Sequence, residues 1–325
     1  MRQTTITLKS SPLNAAFAIS RGAKTSAETV IVEIRAGDVR GRGECVPYAR
    51  YDESCDSVVA QLDAVSDRLN AGLSRQDLQA ILPAGAARCA ADCALWDLEA
   101  KQTGAPVWQI AGLPEPRPLP TTMTLSLAAP EDMAAAARAT PATILKLKLG
   151  GADDLIRVQA VHEARPDAQL VVDGNEGLDP ATFPELLDAA KALGVVLIEQ
   201  PFPVDQDEAL LDRPGGLTIC ADESVHTSAD LEALATKYDA VNIKLDKAGG
   251  LTEGLQMLAE AKRLGLGTMV GCMVAGSISM APALLLGQDA DLIDLDGPLW
   301  LAEDVPHGLK YTDGHVAPPH RALWG

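Results

Sequence analysis

A series of short apolar runs, each ending in a charged residue, is the feature that most constrains the fold of this chain. The first run, Ile144-Leu145-Lys146-Leu147-Lys148, carries two lysines two positions apart. Side chains at i and i+2 of a strand point to the same face, so both ammonium groups are predicted to project together. Burying two like charges side by side is costly unless opposite charges lie nearby or the pair takes part in chemistry.

Similar runs recur at intervals close to the length of one strand plus one helix, and four of them end at Asp173, Glu199, Asp222 and Lys244. Helical patterns fill the gaps, and eight such repeats predict an α/β fold with a (β/α)8-type barrel. A doubly wound sheet is the alternative, but no glycine-rich phosphate-binding turn follows any strand. The strand-like segments are 121–127, 143–148, 169–173, 195–199, 217–222, 240–244, 268–272 and 291–296.

The N-terminal part of the chain predicts a separate α+β unit. Residues 29–34 and 39–45 are strand-like runs that can pair as a hairpin, and the polar stretch 19–26 predicts a loop. Helical spacing of apolar residues follows over 58–69 and over 86–101. Strands followed by helices are typical of an α+β unit.

Alternating prolines in the segment 112–120 exclude both a helix and a central strand, so this segment predicts a linker. The tail from residue 303 lacks a full final helix. We therefore expect an α+β capping domain over 1–113, a (β/α)7β-type TIM barrel over 114–302, and a tail, 303–325, that packs on the capping domain and completes it.

Composition argues against several classes of function. The formal net charge of −18 disfavours binding to nucleic acid or to anionic membranes. No apolar run reaches the roughly 18 residues that span a bilayer, and the N-terminus carries no secretory apolar segment, so we expect a cytoplasmic protein. The six cysteines are irregularly spaced without a Cys-x-x-Cys pair, which indicates structural thiols.

The charged strand ends predict one site, because active sites of such barrels lie at the C-terminal ends of the strands. Asp173, Glu199 and Asp222 end three consecutive strands, and three converging carboxylates require a cation. Oxygen ligands without histidine or thiolate favour Mg²⁺ over zinc. Because Mg²⁺ prefers six oxygen ligands, three from the protein leave positions for water and a substrate carboxylate.

Lys148 and Lys244 lie on strands that flank the three acidic strands, so a bound substrate would have one lysine on each face. One lysine can remove a proton from the carbon next to a carboxylate and the other can return one, while a metal stabilises the enediolate. A lysine acts as a base when its ammonium pKa is lowered, which a neighbouring cation such as Lys146 and desolvation promote. Asp246, two residues after Lys244, is predicted to orient it.

Five motifs together resemble the enolase superfamily, in its muconate-lactonizing subgroup, over nearly the whole chain. They are Lys146-Leu147-Lys148, Asp173-Gly174-Asn175, Glu199-Gln200-Pro201, Ala221-Asp222-Glu223-Ser224 and Asn242-Ile243-Lys244-Leu245-Asp246-Lys247. The resemblance implies that the three carboxylates bind one Mg²⁺ per active site and that Lys148 and Lys244 are the acid/base pair. It also implies supporting roles beside the ligands for Asn175 and Glu223.

Within this subgroup, the segments Gly271-Cys272-Met273 and Asp294-Leu295-Asp296-Gly297-Pro298 resemble the dipeptide epimerases. The likeness implies that Asp294 and Asp296 receive the free α-ammonium group of a dipeptide. Arg21 is similar to the arginine that pairs with the side-chain carboxylate in L-Ala-D/L-Glu epimerases, where a guanidinium fork fits a carboxylate. Thr124 is similar to a first-strand threonine near the substrate.

The sequence departs from the family pattern in two places. Gly174 and Glu176 stand where the family more often has alanine and glutamine. Neither residue is a metal ligand, so the metal assignment is unchanged. The segment 274–277, after the seventh strand, is rich in small residues and predicts a broader or different side-chain preference if it lines the pocket.

We therefore expect a Mg²⁺-dependent isomerase of dipeptides, with L-Ala-D/L-Glu as substrate and a role in the recycling or breakdown of cell-wall peptides. The expected partner is this small molecule, with no nucleic acid and no membrane, and the sequence is compatible with a homo-oligomer. Two alternatives stay open. One is o-succinylbenzoate synthase or N-acylamino acid racemase chemistry, whose substrates carry no free ammonium group, and the other is a non-catalytic barrel that only binds a ligand.

Overall fold

An antiparallel sheet of three strands, in the order β1-β2-β3, begins the chain and is covered by helices. The structure, a computed structural model, describes residues 2–151, 153–211 and 215–325. The strands are β1 (Arg2–Ile19), β2 (Gly22–Ala36) and β3 (Val39–Cys45), and the helices are α1 (Cys55–Asn70), α2 (Arg75–Ile81), α3 (Ala86–Thr103) and α4 (Val107–Ile110). Helix α3 lies so close to β3 that a Cβ atom at Gly43 would be 2.0 Å from the Ala90 carbonyl oxygen.

The prediction of a loop over 19–26 is wrong for most of its length. Strand β2 begins at Gly22, and the β1–β2 ladder pairs Phe17 with Lys24 and Ile19 with Gly22, which leaves only a two-residue turn. Gly22 has φ +137°, a conformation that glycine adopts at little cost. The segment is polar because the end of this hairpin projects away from the core of its own sheet, and polar residues of this kind are typical of loops.

Eight parallel strands follow a short strand, β4 (Leu119–Pro120), and are ordered sequentially from β5 to β12. They are β5 (Met123–Leu125), β6 (Ile144–Lys148), β7 (Gln169–Asp173), β8 (Val195–Glu199), β9 (Thr218–Ala221), β10 (Ala240–Lys244), β11 (Gly267–Gly271) and β12 (Leu292–Ile293). The Thr122 N–H donates to the Ile293 carbonyl at 3.1 Å, so the two ends of the sheet approach each other and the sheet is curled. The result is an α/β fold.

Helices lie in most of the connections between these strands, and the connection from β8 to β9 contains a 3-10 helix, Asp207–Leu210. The α-helices are α5 (Pro130–Ala139), α6 (Asp154–Ala164), α7 (Phe183–Ala192), α8 (Leu231–Leu234), α9 (Leu245–Ala248), α10 (Leu251–Leu264) and α11 (Ser277–Leu286). Alternate strand residues on the inner face form one apolar cluster of Ile144, Val171, Leu197, Cys220, Ala240 and Met269. The charged strand ends therefore lie above a packed interior.

Two predicted elements differ from the observed ones. The predicted strand 291–296 is reduced to β12, because the chain turns after Ile293 and enters a short 3-10 helix over Gly297–Trp300. Within the predicted linker 112–120, Leu119–Pro120 pairs with a strand of the tail. Proline is tolerated there because β4 is at the edge of its small sheet.

The tail forms a hairpin, β13 (Tyr311–Thr312) and β14 (His315–Val316), and then runs along the N-terminal unit. The Trp324 indole N–H donates to the Arg42 carbonyl at 2.9 Å, and the Gly325 N–H donates to Asp97 at 2.7 Å. All six cysteines are free thiols. Within the described ranges, every helix is too short or too polar to cross a membrane.

Candidate active site

Strands β6 to β10 bring the predicted charged residues to one edge of the sheet. In the strand register, Lys148 is paired with Asp173, Asp173 with Glu199, and Glu199 with Cys220, which lies two residues before Asp222. Each of these charged side chains is buried, and so is Lys244 at the end of β10. Parallel strands in register explain why the regular spacing in the sequence predicted this convergence.

Lys146 is the centre of an ion cluster at this edge. Its Nζ lies 2.6 Å from Glu199 Oε2, 2.7 Å from Asp294 Oδ2 and 3.1 Å from Asp173 Oδ2. Burial lowers the pKa of Lys146, but these carboxylates outweigh burial and raise the pKa well above its usual value. The cost of burying this lysine next to Lys148 is therefore offset by acidic residues from three other strand ends.

The two lysines predicted as acid and base contact different carboxylates. Lys148 Nζ lies 2.6 Å from Asp173 Oδ2, and Lys244 Nζ lies 2.6 Å from Asp222 Oδ2. Burial lowers the pKa of Lys244, but the neighbouring Asp222 and Glu199 carboxylates outweigh burial. The pKa of Lys244 therefore lies well above its usual value. Both ammonium groups line the same cavity.

Lys247 is a further buried lysine, for which the sequence argument gave no role. It lies on α9, its Nζ is 2.6 Å from Asp222 Oδ1, and it also donates to the Asp222 carbonyl. The Asp222 carboxylate is thus held between Lys244 on one oxygen and Lys247 on the other. The i,i+3 spacing of the two lysines at the start of a helix was the signal available in the sequence.

Asp173, Glu199 and Asp222 are the residues whose chemistry fits a metal. In the ranges that the structure describes, no three acidic, histidine or cysteine side chains lie close enough together to hold an ion, and lysines contact the carboxylate oxygens instead. Burial and the neighbouring Asp173 raise the pKa of Glu199 to about 7. These short contacts to ammonium groups indicate carboxylates that attract positive charge strongly.

Two buried oxygens beside this set support the same conclusion. Among the described residues, no hydrogen-bond donor contacts Asn175 Oδ1 or Glu223 Oε2. The Asn175 amide lies 3.5 Å from Glu223 Oε1, so the two side chains are adjacent. Carboxylate and amide oxygens in one buried set are the ligands that a hard divalent cation prefers, so the residues present fit Mg²⁺.

A cavity of about 250 Å³ lies between the N-terminal unit and the C-terminal strand ends. This volume is just below the range of about 300–1,000 Å³ typical of ligand pockets, which favours a small substrate. The lining residues from the strand ends and their loops include Thr124, Lys146, Lys148, Asn175, Asp222, Glu223, Lys244, Cys272, Asp294 and Asp296. Those from the N-terminal unit include Phe17, Ile19, Arg21, Lys24, Tyr48 and Tyr51.

Asp294 and Asp296 lie side by side in this cavity but have different partners. Asp294 accepts hydrogen bonds from the Thr122 hydroxyl and from Lys146. Asp296 accepts from the Thr124 N–H at 2.7 Å and from the Trp300 indole at 3.3 Å. Burial and the neighbouring Asp294 raise the pKa of Asp296 to about 6, as expected for two close carboxylates.

Arg21 and Lys24 supply positive charge from the N-terminal unit. Arg21 already donates to the Asn175 carbonyl, Glu176 and Glu223, at 2.7, 3.1 and 2.8 Å. For Lys24, by contrast, no carboxylate within the described residues lies at ion-pair distance, and its Nζ is 5.8 Å from the centre of the Phe17 ring. Burial and two neighbouring lysines lower the pKa of Lys24. Lys24 was not among the predicted site residues, because the whole segment 19–26 was predicted to be a loop.

Asp246 does not lie where the same-face argument put it. Strand β10 ends at Lys244 and α9 begins at Leu245, so the two-residue periodicity of a strand does not continue to Asp246. Its carboxylate accepts from the Val46 N–H at 2.8 Å and thereby joins α9 to the end of β3. Asp246 therefore fixes the segment after Lys244 to the N-terminal unit.

Helix α3 contacts the same segment at two glycines. Arg88 donates to the Ala248 carbonyl at the end of α9, at 2.7 Å, and Asp92 accepts from the Thr252 N–H at the start of α10, at 2.9 Å. Gly249 and Gly250 leave the space for these two side chains. Because a cation at a helix C-terminus and an anion at an N-terminus are both stabilising, α3 holds the connection that follows Lys244.

The fold and the site together define an enolase-like protein, and comparison with protein families agrees. Residues 129–322 match the family "Enolase C-terminal domain-like", and residues 1–112 match "Mandelate racemase / muconate lactonizing enzyme, N-terminal domain". The chain belongs to this mandelate racemase and muconate lactonizing enzyme family of the enolase superfamily. The resemblance inferred from the sequence motifs is confirmed.

Two characterised relatives resemble the chain over most of its length. The L-Ala-D/L-Glu epimerase of Escherichia coli is 42% identical over 319 residues, which cover 97% of this chain and 99% of that protein. The N-acetyl-D-glutamate racemase of a Pseudoalteromonas species is 42% identical over 299 residues, which cover 91% and 95%.

Solved structures of two further proteins have the same fold as this chain. An enolase family member from Agrobacterium tumefaciens with homology to dipeptide epimerases, which has bound sodium and L-Ala-L-Glu, is 48% identical over the whole of both chains with a TM-score of 0.98. A dipeptide epimerase from Enterococcus faecalis, complexed with Mg and L-Leu-L-Tyr, is 26% identical with a TM-score of 0.91 and covers 97% of this chain and 96% of that one.

Proposed function

We propose that this protein is a Mg²⁺-dependent dipeptide epimerase that inverts the α-carbon of the C-terminal residue, with L-Ala-D/L-Glu as its substrate. The observation that carries the proposal is that Lys148 and Lys244 line one cavity while each contacts a different member of the carboxylate set. The activities of the named relatives and the L-Ala-L-Glu bound to the Agrobacterium protein support the same reaction.

The two lysines exchange the α-proton from opposite faces. Lys148, the proposed base, takes the proton as the neutral amine, and the electron pair of the broken C–H bond moves into the carboxylate to give an enediolate. The other lysine, as the ammonium ion, delivers a proton to the opposite face, so the configuration inverts. Lys146, fixed as a cation, offsets negative charge on the enediolate.

Asp173, Glu199 and Asp222 are the residues that would hold Mg²⁺. When bound, Mg²⁺ supplies positive charge that stabilises the substrate carboxylate as its negative charge increases. Asn175 and Glu223 lie next to these ligands with unpartnered buried oxygens and would fix their positions.

The remaining lining residues fit the two ends of L-Ala-Glu. Asp294 and Asp296 would bind the free α-ammonium group, with Thr124 beside them. Arg21 is the predicted partner of the glutamate side-chain carboxylate. Since Arg21 already contacts two glutamates, we propose that Lys24 is the principal group that binds this carboxylate, because it lines the cavity and has no carboxylate at ion-pair distance among the described residues.

The finer architecture is part of the same proposal. The curled sheet would be a (β/α)7β barrel over 114–302, with the capping domain over 1–113 and the tail 303–325 completing it. The hydrogen bond between Thr122 and Ile293 supports closure, and the Trp324 contact to Arg42 supports the role of the tail. We further propose a cytoplasmic role in the metabolism of cell-wall peptides.

Proton exchange in deuterated water tests the reaction directly. The protein with Mg²⁺ and L-Ala-L-Glu is expected to introduce deuterium at the glutamate α-carbon and to form L-Ala-D-Glu, both measurable by proton NMR. Absence of exchange with L-Ala-L-Glu and with a panel of other dipeptides would refute the proposed function.

A second candidate is racemisation of an N-acylamino acid, a substrate without a free ammonium group. The contacts of Asp294 with Lys146 and of Asp296 with Thr124 and Trp300 favour it, because both carboxylates already have donors. The relative from Pseudoalteromonas acts on such a substrate. Rates for N-acetyl-L-glutamate and L-Ala-L-Glu, measured side by side, distinguish the two functions.

A further inference from the structure

Glu176 joins the parallel-sheet unit to two separate loops of the N-terminal unit. Its carboxylate accepts hydrogen bonds from both Nε and Nη2 of Arg50, at 2.9 and 2.8 Å, and from Nη1 of Arg21, at 3.1 Å. Arg21 lies in the turn between β1 and β2, and Arg50 lies in the loop that follows β3. A single acidic side chain, 8% exposed, therefore holds two loops that have no sequence proximity to each other.

These two loops line the side of the cavity that the N-terminal unit provides. The turn between β1 and β2 and its flanking residues contribute Ile19 and Lys24, and the loop after β3 contributes Tyr48 and Tyr51. Arg21 also lies 3.3 Å from the Tyr48 hydroxyl, so the loops contact each other through the same guanidinium. Movement of Arg21 and Arg50 away from Glu176 would open this side of the cavity to solvent.

The backbone around Glu176 is unusual and is tied to the acidic cluster below. Asn175 and Glu176 have φ +42° and +65°, a left-handed conformation that is costly for residues other than glycine. The Asn175 N–H donates to Asp173 Oδ1 at 2.9 Å, and the Glu176 N–H donates to the Gln200 carbonyl at 2.9 Å. The strained turn thus connects Asp173, at the end of β7, with the side chain that holds the loops.

We infer that Glu176 is a positioning residue that keeps both loops closed over the substrate. Only a carboxylate accepts from two cationic guanidinium groups in this way, and a glutamine would lose the charge and one acceptor. The departure of Glu176 from the family pattern thereby acquires a role. The inference rests on the proposed function for the identity of the substrate, whereas closure itself does not depend on it.

Because the contacts of Glu176 keep the loops closed, a larger fraction of the free protein is in the binding-competent state before the substrate arrives. Weakening the contact lowers that population, and the apparent affinity falls by the same factor. The chemical step, which Lys148 and Lys244 carry out after binding, is affected less. The expected signature is therefore a change in KM that exceeds the change in kcat.

The test uses the full-length protein and its Glu176→Gln variant, with Glu185→Gln as a matched control because Glu185 is an exposed glutamate on α7. Glu176→Gln is expected to raise KM for L-Ala-L-Glu about tenfold, the size of one lost charge-assisted interaction, with a smaller change in kcat. Limited trypsin digestion without substrate is expected to cut after Arg50 faster in Glu176→Gln than in the wild type and the control.

Arg50→Gln tests the contact from the other side. Arg50→Gln is expected to raise KM by no more than Glu176→Gln does, because Glu176 also accepts from Arg21. The double variant Glu176→Gln/Arg50→Gln is expected to raise KM to about the level of Glu176→Gln alone, because the contact between the two residues is already weakened in the single variant. Additive effects of the two substitutions would overturn the inference. So would trypsin rates and KM equal to those of the control, or a loss of kcat at unchanged KM. If no dipeptide reacts, the proposed function fails, and the trypsin comparison still decides whether Glu176 holds the loops.

Discussion

Lys146 Nζ lies 2.7 Å from Asp294 Oδ2, so a lysine of β6 neutralises one of the two aspartates that follow β12. The neighbouring Asp296 has no cationic partner among the described side chains, and its hydrogen-bond donors are the Thr124 N–H and the Trp300 indole. Asp294 is therefore bound to the internal ion cluster, whereas Asp296 retains charge for a ligand. This difference decides which aspartate gives the cleaner test of dipeptide recognition.

Asp296→Asn is expected to lower kcat/KM for L-Ala-L-Glu by about 10- to 100-fold, because it removes a charged partner of the substrate ammonium group. The substitution keeps an oxygen that can accept from Thr124. Turnover of N-acetyl-L-glutamate, which lacks the ammonium group, is expected to change little. Steady-state rates for both substrates check this, and equal losses would contradict a role of Asp296 in ammonium binding.

Lys244→Ala is expected to reduce epimerisation by about 10²- to 10⁴-fold while proton exchange continues from the Lys148 face. Exchange is then expected for only one configuration of the glutamate α-carbon. Proton NMR in deuterated water with L-Ala-L-Glu and with L-Ala-D-Glu measures both. Lys262→Ala, at an exposed position on α10, is the control, and an unchanged epimerisation rate in Lys244→Ala would remove that lysine from the mechanism.

Lys24→Met is expected to lower kcat/KM for L-Ala-L-Glu by about tenfold or more, because an acidic side chain loses its cationic partner. A dipeptide with an apolar C-terminal residue, such as L-Ala-L-Leu, is expected to react as well as before or better. The two substrates serve as each other's control. A similar loss for both would indicate that Lys24 supports the fold of the β1–β2 hairpin instead of binding the side-chain carboxylate.

The buried carboxyl group of Asp92 predicts a pH dependence of stability that is separate from catalysis. Burial raises its pKa from 3.8 to about 6, although hydrogen bonds from Thr252 and the nearby Arg75 and Arg88 lower it in part. The folded state therefore binds this proton more tightly than the unfolded state, so the contribution of Asp92 is greatest below pH 4. It is lost as the pH rises through 6, and it is on the order of 3 kcal/mol.

Asp92→Asn removes this titration and is expected to flatten the dependence of unfolding on pH between pH 4 and 6. Compared with the variant, the wild type should gain stability as the pH falls through this window. Melting temperatures of both proteins at pH 4.5 and pH 7 give the comparison. The same difference between the two proteins at both pH values would show that Asp92 does not titrate in this range.

Mg²⁺ is expected to raise the melting temperature of the wild type and to be required for activity, because it would bind three buried carboxylates of the folded state only. Glu199→Gln is expected to weaken this effect. Differential scanning calorimetry with Mg²⁺ and with EDTA measures it independently of turnover. A protein that shows neither a thermal shift nor Mg²⁺-dependent activity on any carboxylic acid would support the non-catalytic alternative.

Much of the parallel sheet was predictable because each strand leaves the same local pattern, an apolar run that ends in a charge. The runs ending at Lys148, Asp173, Glu199 and Lys244 correspond to β6, β7, β8 and β10 with the same final residue. Parallel register then converts equal spacing along the chain into proximity in space. These charges were predicted to converge for this reason, without knowledge of any contact.

The rest of the site depends on tertiary contacts that leave no local pattern. Lys24 is on a strand only because the β1–β2 hairpin extends beyond its apolar part. Asp246 was misplaced because β10 ends and a helix begins within two residues. Lys146 was expected mainly as a neighbour of Lys148, but its partner Asp294 is 148 positions away in the chain. Such pairings become visible only when the sheet has brought its first and last strands together.

The Gly249–Gly250 pair has a consequence for recombination between relatives. A Cβ atom at Gly249 would lie 2.3 Å from Arg88 Nε, and one at Gly250 would lie 2.5 Å from Asp92 Oδ2. A chimera that joins this N-terminal unit to a different barrel therefore needs glycine at both positions of this junction, or the donor's own version of α3. A side chain at either position would prevent the two halves of such a chimera from packing together, whatever catalytic residues the barrel contains.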